Sequence, residues 1–296
     1  MRETRISLKS TRIRPSSTRS TDPMRITFAT EAAPGRRNED FVGTTPEVFV
    51  LLDGAGTPDG SGSGCIHGVG WYVRSLGSTL LAGMVQDNGT LTEILGNGIK
   101  AVASLHDFVC DLTHPGSPSA TVVMVRRTGD ELEYLVLADS VLLLDLVGEA
   151  EPTVVCDDRE ALVGRTHRSV LDTLAHGSPD HVTAHREYVE TMRGHRNREG
   201  GFWVAAVDPL TAERALTGTL PADRVRAIAL LSDGASRLVD RFGLATWREV
   251  LDILEGPGPG ELIHRVREAE RTDPLGSRWP RTKVHDDATA AYCLFG

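Results

Sequence analysis

Residues 119–148, SATVVMVRRTGDELEYLVLADSVLLLDLVG, constrain this chain more than any other stretch. Long apolar runs follow one another here, separated only by Gly129-Asp130 and by the neighbourhood of Asp139-Ser140. Connections this short join antiparallel strands, because a parallel pair needs a crossover of a dozen residues or more. The segment therefore reads as two or three antiparallel strands. MRITFAT (24–30) and EVFVLLD (47–53) read as strands before it, and GFWVAAVDP (201–209), RVRAIALLSDG (224–234) and DDATAAYCLF (286–295) as strands after it. Helical spacing marks 65–86, 90–112, much of 160–198, 244–255 and 261–271, with Thr90 or Thr92 as N-cap of the second helix. The order is strands, helices, strands, helices, strands. That block order predicts an α+β fold with antiparallel sheets and helices packed outside them.

The length of 296 residues suits one large domain, and no composition break divides 24–296. Residues 1–23 are rich in Arg, Ser and Thr and read as a disordered basic tail, or as a segment ahead of a start at Met24. They lack the apolar core of a signal peptide. The net charge of -9 argues against non-specific nucleic-acid binding, which displaces counterions with basic surface. Every long apolar stretch is interrupted by charge, so no membrane span is expected. Cys65, Cys110, Cys156 and Cys293 form no CxxC pair and read as reduced thiols of a cytoplasmic protein.

The acids carry the chemistry. Two apolar runs end on Asp-Gly, Leu52-Asp53-Gly54 and Leu231-Ser232-Asp233-Gly234. Glu39-Asp40, Asp139 and Asp286-Asp287 also stand at predicted strand ends or beside them. One Asp-Gly alone is ordinary turn chemistry. Several strand tips brought together would crowd carboxylates that repel one another, and a hard divalent cation relieves that repulsion.

In order, Asn38-Glu39-Asp40, Leu52-Asp53-Gly54, Ala138-Asp139-Ser140, Leu231-Ser232-Asp233-Gly234 and Asp286-Asp287-Ala288-Thr289 resemble the motifs of the metal-dependent protein phosphatases, protein phosphatase 2C type, in their bacterial form. SATVVMV resembles that family's Gly-Thr-Thr-Ala strand. The resemblance spans nearly all of 24–296. It implies a central β-sandwich of two antiparallel sheets flanked by helices on both sides, four αββα layers. It implies two Mg²⁺ or Mn²⁺ ions, with a third in a looser site. Asp53 would bridge two ions and the Gly54 carbonyl would hold one. Asp233 and Asp286 would complete the ligands, Glu39 would act through water, and Asp139 would serve the third site. The implied activity is hydrolysis of phosphoserine and phosphothreonine in phosphoprotein substrates by a metal-activated water in line with the leaving group.

Two departures bear on phosphate recognition. The family arginine that grips phosphate falls five residues before the Asp of the Glu-Asp pair, and Gly35 stands there. Arg36 and Arg37 follow and are the candidates to replace it. The glycine loop after Asp53 is also altered. Ala55 occupies the position where one branch of the family has a histidine, and His67 is a weak substitute. An alternative reading is therefore a phosphatase-like regulatory or binding module with little catalysis. His181 and His185, spaced i, i+4, read as surface residues of a charged helix.

Overall fold

The computed structural model describes residues 24–56, 62–106, 109–174 and 177–296. The proposed tail, 1–23, lies outside these residues, as does part of the glycine loop after Asp53. Two antiparallel sheets of five strands face each other. The first runs β1 (Arg25–Glu31), β12 (Ala288–Leu294), β11 (Val225–Leu231), β8 (Val141–Leu146), β9 (Thr153–Val155). The second runs β10 (Leu216–Pro221), β7 (Glu131–Leu137), β6 (Val122–Thr128), β3 (Val48–Leu52), β2 (Phe41–Thr44). A short ladder pairs β4 (Gly54–Ala55) with β5 (Ser119–Ala120).

The core explains why the central strands are continuously apolar instead of alternating. Phe49 and Leu51 of β3 meet Ile228 and Leu230 of β11 in the layer between the sheets. Val48, Val50 and Leu52, on the other face of β3, pack under α1 (Val69–Gln86) and α2 (Leu91–Ser104). Ala227, Ala229 and Leu231, on the other face of β11, pack under α5 (Asp233–Asp240), α6 (Trp247–Glu255) and α7 (Pro259–Thr272). Both faces of each strand are thus covered, and all five residues of β3 are buried and apolar. The result is the four-layer αββα sandwich. Thr90 is the N-cap of α2, with Glu93 completing a capping box, and Thr246 and Glu249 do the same for α6.

Local readings need correction in four places. The run 224–234 is strand only to Leu231, and helix α5 begins at Asp233. GFWVAAVDP forms no strand: Phe202, Val204 and Ala205 are buried, and the segment makes only isolated bridges, Ala205 to Ala120 and Phe202 to Arg196. Strands β2, β9 and β10 were not anticipated, being short or partly polar sheet-edge pieces. His181 is buried, not exposed, and its ring stacks on that of His185 within α4 (Pro179–His195). Among the described residues, no helix is long and apolar enough to cross a membrane.

Candidate active site

At one end of the sandwich, a cavity of about 450 Å³ gathers Asp53, Gly54, Asp139, Asp233, Asp286, Glu39, Arg36 and Arg37. The four aspartates arrive on separate elements. Asp53 follows β3. Asp139 lies in the turn from β7 to β8, after Ala138, whose φ of 68° is the left-handed region that a non-glycine residue seldom adopts. Asp233 opens α5 directly after β11, and Asp286 precedes β12.

A lattice of hydrogen bonds fixes these tips. The Asp233 N–H donates to Asp53 Oδ2 at 3.3 Å. The Asp53 N–H donates to Thr121 Oγ1 at 3.2 Å, and Thr121 shares a 2.6 Å bond with Ser140 across the two sheets. Asp287 also borders the cavity, but its carboxylate accepts from the Ala33 and Glu39 N–H groups, at 2.7 Å each. It thereby anchors the 33–39 loop that carries both arginines. Thr289 donates to Asp40 Oδ2 at 2.7 Å, and its backbone bonds Ser232. The second Asp and the Thr of Asp-Asp-x-Thr are thus struts. The first Asp is the cavity acid.

The charges are under strain. Burial first, then the carboxylates of Asp40, Asp233 and Asp286, hold Asp53 well above its usual range. Burial likewise lifts Asp40 to about 7, with Asp233 and Asp287 adding to it against the Thr289 and Ser232 bonds. Asp139 is raised by burial, Glu160 and Asp233. Glu160 itself, in α3 (Arg159–His167), is lifted to about 7 by burial and Asp233. Asp233 is the common neighbour in all of these. Burial would depress Lys283, but Asp286, Asp233 and Asp53 outweigh it and keep the ammonium above its usual range. Its Nζ lies 2.9 Å from Asp286 Oδ1, and Arg237 reaches Asp286 Oδ2 at 3.3 Å. Asp233 Oδ1 and Asp40 Oδ1 are buried with no hydrogen-bond partner among the described residues. Orphaned carboxylate oxygens are costly, and a hard cation with several oxygen ligands is what this donor set suits.

Sequence reasoning missed Glu160 and Lys283. Glu160 sits in a polar helix with no strand-end signal, and Lys283 has no motif around it. His67 does not line the cavity. It lies against Cys65, Cys110 and Trp71. Gly35 has a φ of 76° in the tight turn that Arg36 N–H closes onto the Ala33 carbonyl at 3.0 Å. An arginine at position 35 would be strained in this backbone.

Solved structures with the same fold include the catalytic domain of the serine/threonine protein phosphatase PstP in complex with two manganese ions (19% identity, 92% of this chain and 97% of that one, TM-score 0.54). They also include Stp1 from Staphylococcus aureus (13% identity, 95% and 99%, TM-score 0.55). A third is MsPP from Mycobacterium smegmatis in complex with cacodylate (17% identity, 92% and 98%, TM-score 0.52). Comparison with curated protein sequences gave no match. The family profile described as Protein phosphatase 2C matches residues 32–266, most of the folded chain. The chain belongs to the protein phosphatase 2C family.

Proposed function

We propose that the chain is a serine/threonine phosphoprotein phosphatase dependent on Mg²⁺ or Mn²⁺. The observation that carries the reading is the convergence of Asp53, Asp233 and Asp286 on one cavity, with an orphaned oxygen on Asp233. Asp53, Asp233 and Asp286 would hold two ions, with the Gly54 carbonyl, Glu39 and Asp139 completing the surroundings. When bound, such ions supply an acidified water and neutralise charge on the phosphoryl oxygens. The protein's own part is positioning. Thr121 and the Asp233 N–H orient Asp53, Asp287 holds the arginine loop, and Lys283 and Arg237 orient Asp286. The PstP structure, with its two manganese ions, supports the same assignment of cofactor. The test is release of phosphate from p-nitrophenyl phosphate and a phosphothreonine peptide with Mn²⁺ against EDTA. Absence of metal-dependent release, together with no metal bound in calorimetry, would leave the regulatory-module reading.

Arg36 and Arg37 both line the cavity and are exposed to its solvent. The charge of Arg36 acts on Glu39, which lies among the acids. We therefore assign Arg36 the larger share of the phosphate grip. A charge-assisted hydrogen bond contributes about 1.5–3 kcal/mol. Arg36→Ala should then raise KM roughly 10- to 100-fold at about 1.4 kcal/mol per tenfold. Its metal affinity should stay as in the wild type, and Arg37→Ala should move KM less. If neither substitution changes KM, phosphate is held elsewhere.

The raised acids predict a pH dependence. Asp40 and Glu160, each lifted to about 7, keep their protons where an unfolded chain has lost them. The folded state binds more protons between about pH 4 and 7, so stability falls as pH rises through that window. In chelator, the Tm should drop from about pH 5 to about pH 8. Mn²⁺ should restore it most at the higher pH, by about 2.7 kcal/mol at a hundredfold excess over Kd. A metal-induced Tm rise that is as large at the lower pH would contradict this account.

A further inference from the structure

A second cluster lies outside the cavity, where the start of α1 meets the end of α2. Cys65 and His67 come from the segment leading into α1, and His106 and Cys110 from the segment leaving α2. One ligand atom from each of the four lies within 4.8 Å of the others. His67 Nδ1 is 3.7 Å from Cys65 Sγ and 3.4 Å from Cys110 Sγ. A tetrahedral zinc with Zn–S of about 2.3 Å and Zn–N of about 2.0–2.1 Å separates sulfur and nitrogen by roughly 3.6 Å. The cluster is already at that spacing.

His106 supplies the second observation. It is only 3% exposed, and its Nδ1 lies 3.0 Å from the Val102 carbonyl. A carbonyl only accepts, so Nδ1 carries the proton and Nε2 is left with a free lone pair. Nε2 is buried and has no hydrogen-bond partner among the described residues. A protonated Nδ1 held by a carbonyl with a bare Nε2 is the arrangement of a metal-ligating histidine. The Ile66 N–H points at Cys110 Sγ at 3.4 Å, a donor that stabilises a thiolate. Trp71 stacks on His67 with ring centroids 4.3 Å apart and meets His106 edge-on at 5.0 Å, which walls the cluster with an aromatic ring.

We propose that Cys65, His67, His106 and Cys110 form a structural zinc site. Thiolate and imidazole select zinc where the oxygen-lined cavity selects magnesium or manganese. Both cysteines release a proton on binding, and two thiolates with two neutral imidazoles balance the charge of Zn²⁺. Four protein ligands close the coordination, so the site is not catalytic. Its mechanical effect reaches the cavity through Val69 at the start of α1, which packs so tightly on Gly54 and Gly56 that a Cβ on either glycine would come within 2.5 Å of it. The zinc thus pins the helix end that backs the Gly54–Gly56 wall.

The test is metal content by mass spectrometry after zinc loading and desalting in millimolar Mg²⁺, which competes for the oxygen-lined cavity but not for thiolate ligands. The expected result is about one zinc per chain in the wild type and in Asp233→Asn, falling below a tenth in Cys65→Ser and Cys110→Ser. Cobalt substituted into the wild type needs no variant. It should give the intense thiolate-to-cobalt charge-transfer band and the strong visible bands of a tetrahedral site. Cobalt spectra without a thiolate band would overturn the proposal. So would zinc lost in Asp233→Asn but kept in Cys110→Ser, or a Cys65–Cys110 disulfide found by peptide mapping of alkylated protein.

Discussion

Asp233→Asn should abolish Mn²⁺-dependent phosphate release and, at the same time, make the chelated protein more stable. The two effects have one cause. Asp233 is the neighbour whose charge raises Asp40, Asp53, Asp139, Glu160 and Asp286. Its Oδ1 is buried without a partner, and its backbone N–H orients Asp53. Asparagine keeps the shape and the backbone bond but removes the charge that a cation needs, and its amide can turn N–H donors toward the ion. A loss on the order of a thousandfold in kcat/KM corresponds to about 4 kcal/mol at 1.36 kcal/mol per tenfold. Without metal, the same change deletes the shared source of repulsion, and the Tm in chelator should rise. A merely structural aspartate would behave oppositely: losing its hydrogen bonds would lower stability and leave the chemistry intact. Activity within tenfold of wild type, or a fallen Tm in chelator, would remove Asp233 from the metal centre. Calorimetric Mn²⁺ titration of the variant gives a third, independent reading.

What could be read from the chain beforehand followed from where one physical signal stood alone. The central strands announced themselves because both faces of β3 and β11 are covered, leaving uninterrupted apolar runs. The turns at Gly129-Asp130 and Asp139-Ser140 fixed their direction. Edge strands such as β10, LTGTLP, carry no such signal, since solvent on one side permits polar residues. GFWVAAVDP misled because burial and strand pairing are separate matters: its apolar side chains are buried without entering the ladder. The cavity acids at strand tips were visible as a set, but Glu160 was not, because a helix brings it in from a segment whose sequence is plainly polar. The Cys65, His67, His106 and Cys110 cluster was hidden for the same reason. Its two halves lie roughly forty residues apart, and only the antiparallel packing of α1 on α2 joins them.

Gly234 is where sequence logic and packing predict opposite signs. It follows Asp233 in the first turn of α5 and has no positive φ, so the glycine is not there to bend the chain away from an ion. Alanine is the better helix former by about 1 kcal/mol, largely because it restricts the unfolded chain. By propensity alone, Gly234→Ala would stabilise the protein. A Cβ at this position, however, would stand 1.8 Å from the Asp287 carbonyl oxygen and 3.2 Å from Ala288 Cα. These are backbone atoms of the segment entering β12, and no rotamer change relieves the contact. Overpacking typically costs about 1–3 kcal/mol and sometimes more. With backbone on both sides, the cost should reach about 3 kcal/mol and exceed the propensity gain. A Tm fall of roughly 6–12 °C follows for a domain of this size. Moving Asp287 also disturbs its bonds to the Ala33 and Glu39 N–H groups and displaces neighbouring Asp286. Mn²⁺ affinity and phosphate release should therefore fall together with stability. Gly260→Ala is the control, in the first turn of α7 with nothing within 4 Å of its Cβ. There propensity acts alone, and the Tm should hold or rise. A Gly234→Ala protein that melts with the control would show that α5 and the Asp286-Asp287 segment are less closely apposed than the fold requires.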